Sequence, residues 1–422
     1  MLVTENSSYK RTVFPNGLKI ISEAIPHVRS VSLGLWIDVG SRDENEKNAG
    51  VSHFIEHMVF KGTRNRDASQ IASYLESVGG VLNAFTSREQ TCYFAKILDQ
   101  HLPRAVDIIF DLAQNALFDK SNIDKEKRVI LEEIKDIEDA PSDLVHDRFA
   151  RAFFGPHPLG RPILGEKATV KGMGRVAILR HLNKYYRPDR MLVAASGNLD
   201  HAALVNLVGQ AFGAGEHDGS PINRKRPVFK PLRKAIKRKS SQVHICLGVP
   251  AREFNDPSRS AMFILNSMLG GGMSSRLFQK LRDNLGIVYN VYTYLDYFQD
   301  TSVQGIYLAT DRKNVRRAIE AVMKEIDRIA SEPLPEADLS RNKEQLKGHL
   351  MLGLENTSSR MNRLAKHELL IGRYIPLDET VLGIDTVKAE EITDLARELF
   401  RRDRFTAVTM GNVEGDIFSA LE

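Results

Sequence analysis

The chain has 422 residues, 42% of them hydrophobic and 27% charged, with a net charge of +5. That length suggests two to three domains with ample cores, and the balance excludes a disordered, fibrous or strongly nucleic-acid-like composition. No run approaches the 18 apolar residues of a membrane span, and the N-terminal MLVTENSSYKRTVFPNG lacks the apolar centre of a signal peptide, so neither is expected.

In chain order, TVF and LKIISE flank Pro15-Asn16-Gly17 and predict a hairpin. A long strand is expected over 30–39. The string HFIEH at 53–57 follows. A helix there carries His53 and His57 on one face, with Glu56 at its border. Two imidazoles and a carboxylate are what a catalytic zinc site requires, in the reverse order of the commoner H-E-x-x-H helix. Alone, the pentapeptide suits a core or surface histidine pair equally well. A second helix is expected from about Asp67, capped by Asp67 with Gln70 at N3. VLNAFT (81–86) and QTCYFAKIL (90–98) read as strands. Helices are expected through much of 102–186, then a strand at MLVAASG. Strands that cluster with helices rather than alternating with them favour an α+β domain, a mainly antiparallel sheet with helices packed on one face.

The chain then repeats itself. GRVAILRHLNKYYRPDRMLVAASGNLD (174–200) aligns without a gap on KAEEITDLARELFRRDRFTAVTMGNVE (388–414), at an offset of 214. Each copy reads as an amphipathic helix, an apolar strand and Gly-Asn. Two similarly folded domains are therefore expected, 1–212 and 228–422, joined by a polar, Gly-containing linker at 213–227. The basic run RKRPVFKPLRKAIKRK (224–239) is read as a solvated linker leading into a strand, because no nucleic-acid module surrounds it. In the second half QVHICLGV (242–249) takes the place of the long strand. A helix near 257–270 takes the place of HFIEH but has no His or Glu, so the site belongs to the first half. Cys92 and Cys246 sit in separate apolar stretches and read as buried small hydrophobes, without metal, redox or disulfide spacing.

A helix over 121–141, with Ser121 as N-cap, places Glu126 and Glu133 two turns apart on one face while Glu132 points elsewhere. A carboxylate from that face can complete a His2Glu zinc site, but spacing alone does not select it.

HFIEHMVFKGT, followed by the Glu133 of RVILEEI, resembles the pitrilysin/insulinase family of inverted zinc peptidases, and most closely its processing-peptidase-like branch. FPNGLKII, NAFTSREQTCYF and LGGGMSSRLFQKLRDNLGIVY resemble further family blocks, so the likeness spans nearly the whole chain. It implies one zinc per chain on His53, His57 and Glu133, with Glu56 as the base and Glu126 supporting the metal centre. It also implies substrate strand addition at Asn83 and Ala84, and an Arg282–Tyr289 pair that reaches the substrate. The expected activity is endopeptidase cleavage of peptides or unfolded segments, by a homodimer in the bacterial cytoplasm, or in the mitochondrial matrix if a transit peptide has been removed. Alternatives within the family are a catalytic subunit that needs a non-identical partner and a scaffold subunit without activity.

Overall fold

A computed structural model describes residues 8–212, 223–413 and 417–421. They form two compact units. The first comprises the described residues within Met1–Ile134, Arg161–Arg224 and Gly353–Tyr374; the second those within Lys135–Gly160, Lys225–Leu352 and Ile375–Glu422. Each unit therefore takes one segment from the opposite half of the chain, which a single cut at 213–227 does not describe. Of that linker, residues 213–222 lie outside the described residues.

The first unit holds a six-stranded sheet built from β1 (Tyr9–Val13), β2 (Lys19–Ala24), β3 (Ser30–Ile37), β4 (Val81–Thr86), β5 (Thr91–Leu98) and β6 (Met191–Gly197), in the order β1-β2-β6-β3-β5-β4. Only β2 and β6 run parallel. β1 and β2 form the expected hairpin, and Gly17 turns it with φ +88°. The second unit uses β7 (Arg233–Lys237), β8 (Val243–Pro250), β9 (Val288–Tyr297), β10 (Ser302–Thr310) and β11 (Thr406–Gly411), in the order β7-β11-β8-β10-β9. Only β7 and β11 run parallel. With β1 set aside, the two sheets match strand for strand in order and direction, so the repeat seen in the sequence is a repeat of fold. Gly197 and Gly411 close the matching strands β6 and β11 at φ +136° and +151°. A Cβ on Gly197 would lie 2.1 Å from the Ser30 carbonyl oxygen, so both copies require glycine here.

One face of the first sheet carries the helices of its own half. Leu33, Leu35, Ile37, Val193 and Ala195 pack with Phe54, Ile55 and Met58 of the Val51–Val59 helix and with Val106 and Ile109 of the Leu102–Asn115 helix. The opposite face is also covered: Ile21, Trp36, Cys92, Leu192 and Ala194 meet Met361, Leu364 and Ala365 of the Thr357–Ile371 helix. The second sheet has the same plan, with Cys246, Tyr307, Val408 and Met410 against Val145, Phe149 and Phe153 of the Pro141–Phe154 helix. The expectation of helices on one face thus holds for each half's own helices, and a helix from the other half adds a second layer. Both cysteines are buried and free, as expected.

Two local expectations need correction. The third-ligand helix spans Lys120–Asp139, so Ser121 lies inside it, and the first helical turn closes through Ile123 N–H to the Asp119 carbonyl. Arg224, expected in a solvated run, has a buried side chain. Its guanidinium meets Asp38 at 2.8 Å and Asp43 at 2.8 Å, with about 7% of the side chain exposed. A bidentate guanidinium between carboxylates is the arrangement in which a buried arginine is tolerated.

Candidate metal centre

The Val51–Val59 helix starts in the core, where its first amides cannot reach water. Glu44 satisfies two of the N–H groups at this end: its carboxylate oxygens accept from Gly50 at 2.7 Å and from Ser52 at 2.8 Å. Burial pushes this carboxyl up to about 7, against the opposite pull of those two amides. Ser52 also meets the buried His181 ring at 3.3 Å. Phe54, Ile55, Met58 and Val59 take the core face, and the 3.6-residue period then leaves His53 and His57 together on the other, with ring centroids 4.6 Å apart.

The Lys120–Asp139 helix brings two carboxylates to this pair. Ile123, Ile130 and Ile134 bury its apolar stripe, whereas Val129 is exposed. Glu133 Oε2 lies 3.8 Å from His53 Nε2 and 3.7 Å from His57 Nε2. Glu126 Oε2 lies 3.2 Å from His57 Nδ1, and its other oxygen meets Lys61 Nζ at 3.0 Å. Glu132 is exposed and outside the group. Among the described residues, His53, His57 and Glu133 form the one group of three or more such side chains able to hold a metal ion, with ligand atoms all within 4.8 Å of one another.

These donors suit zinc. Both gaps to Glu133 exceed a hydrogen bond, while two ligands about 2.1 Å from a tetrahedral zinc sit roughly 3.4 Å apart. Burial, with His57 adding to it, lowers His53 to about 3, so this ring is neutral and keeps a lone pair for a metal. His57 offers Nε2 to the same space while Glu126 orients its Nδ1, the pairing that fixes the tautomer of a metal-binding histidine.

Glu56 sits beside this group. Burial raises its proton affinity, which a hydrogen bond from the Thr86 side chain and a Thr86 backbone contact counter. The Thr86 hydroxyl donates to Glu56 Oε2 at 2.5 Å. Asn83 and Ala84 lie on β4, the sheet's edge strand, paired to Phe94 and Tyr93 of β5. Arg282 and Tyr289 belong to the second unit. Arg282 lies in a π-helical turn, Phe278–Asn284, with its guanidinium 4.9 Å from the Phe278 ring centre. Tyr289, near the start of β9, is 55% exposed. The helix that takes the place of HFIEH in the second unit, Arg259–Gly270, contributes no metal-binding group. Sequence reasoning missed Glu44, Lys61, Thr86 and His181. Of these only Thr86 left a signal, because the alternation of VLNAFT puts it on the same face as Leu82 and Ala84.

Residues 19–167 match the profile of Insulinase (Peptidase family M16), and residues 175–346 that of the Peptidase M16 inactive domain. A Bacillus subtilis protein named as a zinc protease, YmxG, is 39% identical, over 93% of this chain and 96% of its own length. A Streptomyces coelicolor protein named as a zinc protease, SCO5738, is 40% identical over 93% of this chain and 87% of its own length. The chain belongs to the insulinase, or M16, peptidase family.

Within this M16 chain, the matched first region contains all of His53, Glu56, His57, Asn83, Ala84, Glu126 and Glu133, and the region matched to the inactive domain contains Arg282 and Tyr289. The fold agrees. A Helicobacter pylori protease superposes with a TM-score of 0.88 at 20% identity, covering 96% of this chain and 99% of that one. An M16-like peptidase structure from Alicyclobacillus acidocaldarius gives 0.84 at 18% identity, over 95% and 97%.

Proposed function

We propose that this M16 chain is a zinc-dependent endopeptidase acting on peptides and on extended, unfolded segments of proteins. The observation that carries the reading is the convergence of His53 Nε2 and His57 Nε2 on one oxygen of Glu133, at a spacing suited to a tetrahedral ion. In the proposal these three residues hold one zinc per chain, and Glu126 holds His57. Zinc bound there would polarise a water molecule and the scissile carbonyl. Glu56 takes a proton from the attacking water and passes it to the departing amine; its raised proton affinity suits a group that must do both. Asn83 and Ala84 offer to the substrate main chain the outer edge of β4, which pairs with no strand among the described residues. Strand addition binds backbone whatever the side chains, so it selects extended polypeptide with loose sequence preference. By resemblance to the family, Arg282 and Tyr289 contribute substrate contacts, the Tyr289 phenol acting on the developing oxyanion, and the working form is a homodimer.

The test is Glu56→Gln, which keeps size and hydrogen bonding but removes the base. Zinc content is expected to stay at the wild-type level while hydrolysis of a quenched extended peptide falls at least ~100-fold. Activity within a few-fold of wild type would mean that another residue moves the proton. Hydrolysis that appears only with a co-purified, non-identical subunit would favour the partner-dependent alternative, and zinc binding with no hydrolysis in any preparation would favour the scaffold.

A further inference from the structure

The side chains of β4 divide between two tasks. Val81, Asn83 and Phe85 are exposed, whereas Leu82, Ala84 and Thr86 are half-buried, and Leu82 and Ala84 pack on the core that also holds the Val51–Val59 helix. Thr86 is the last residue of that inner face, and its hydroxyl donates to Glu56 Oε2 at 2.5 Å. On the outer side β4 pairs with no strand among the described residues.

We propose that Thr86 is a positioning residue that ties the Glu56 carboxylate to the strand on which the substrate is laid, so that base and peptide keep one register. The inference rests on the reading of Glu56 as base and β4 as docking strand. An ionised carboxylate can only accept hydrogen bonds, and a threonine hydroxyl has one proton to give, so the bond has a single polarity. A glutamate chooses among several staggered rotamers, and a charge-assisted bond at its tip selects one of them. The donor sits two residues beyond Ala84. The carboxylate is therefore located by the same backbone whose free edge pairs with the peptide. Productive attack requires water, base and carbonyl to be held within a fraction of an ångström. A base referenced to the docking strand follows the substrate through small shifts of that strand.

The experiment uses the zinc-loaded full chain, a quenched extended peptide and two substitutions. Thr86→Val keeps the shape and strand preference without the hydroxyl, and Thr86→Ser keeps the hydroxyl. Thr86→Val is expected to lower kcat roughly 10- to 100-fold, the range for losing a hydrogen bond to a charged group, with KM changed less than about three-fold. Thr86→Ser should restore kcat to within a few-fold of wild type. Zinc content and thermal midpoint should match wild type in both, which a merely structural role would not give together with slow turnover. Adding Thr86→Val to Glu56→Gln should cause no further loss, since the two act as one unit. Wild-type turnover in Thr86→Val, no rescue by Thr86→Ser, or a loss confined to KM would overturn the inference while leaving the base assignment intact. A fully active Glu56→Gln would instead remove the base assignment itself, and this inference with it.

Discussion

At the scale of single residues, the centre depends on groups that touch no substrate. Glu44 is one of them: it closes the buried end of the histidine helix through the amides of Gly50 and Ser52. Glu44→Ala leaves both donors without a partner in the core, at a cost of about 1–3 kcal/mol for the first of them. The expected result is a lower thermal midpoint in the metal-free protein and a weaker zinc affinity, read by calorimetric titration; an unchanged midpoint would contradict the role. His181, beneath Ser52, is held down to about 3 by burial, with Lys184 adding to it. The unfolded chain, with the ordinary value of 6.5, binds the proton that the folded chain refuses. Stability from this group is therefore complete above about pH 6.5 and is lost as pH falls toward 3. In urea unfolding between pH 7 and 5, His181→Gln should flatten the dependence on pH relative to wild type, by at most about 1.4 kcal/mol per pH unit. Parallel curves would show that the ring is protonated without penalty.

At the scale of elements, what could be read in the sequence depended on how local its cause was. HFIEH was legible because one helix sets both the ligand spacing and the face. The cap of the next helix was legible for the same reason: Asp67 accepts from Gln70 N–H at 2.8 Å, and the Gln70 side chain returns the bond at 2.9 Å. Glu133 was not legible from spacing, because its helix carries several acidic residues and only the tertiary packing of Ile123, Ile130 and Ile134 decides which of them faces the histidines. The resemblance supplied it. The second helical layer was missed although it left a trace. β6 is apolar over Met191–Ala195 and buried throughout, not alternating as a strand with one wet face would be. The covering helix comes from residues far along the chain, so no local rule names it. A fragment ending at Phe212 lacks Thr357–Ile371 and would expose Ile21, Trp36, Cys92, Leu192 and Ala194. It should bind a hydrophobic dye and self-associate, as measured by light scattering. A fragment that stays monomeric and dye-silent would mean that the helix is dispensable.

At the scale of the whole molecule, duplication supplied two sheets of one plan, and among the described residues only the first unit carries a donor set for a metal. Both halves have the glycine that the strand end demands, while HFIEH has no counterpart in Arg259–Gly270. The chain thus keeps the architecture of the repeat, and the proposed metal chemistry belongs to one copy. The most direct measurement of that claim is the zinc content of the purified chain by mass spectrometry, for wild type and for His53→Ala/His57→Ala. The prediction is about one zinc per chain in the wild type, through two histidines and one carboxylate. The double variant should hold essentially none while its circular dichroism shows an intact fold, because Phe54, Ile55, Met58 and Val59, which anchor this helix in the core, are untouched. Equal zinc in the two proteins would contradict the account.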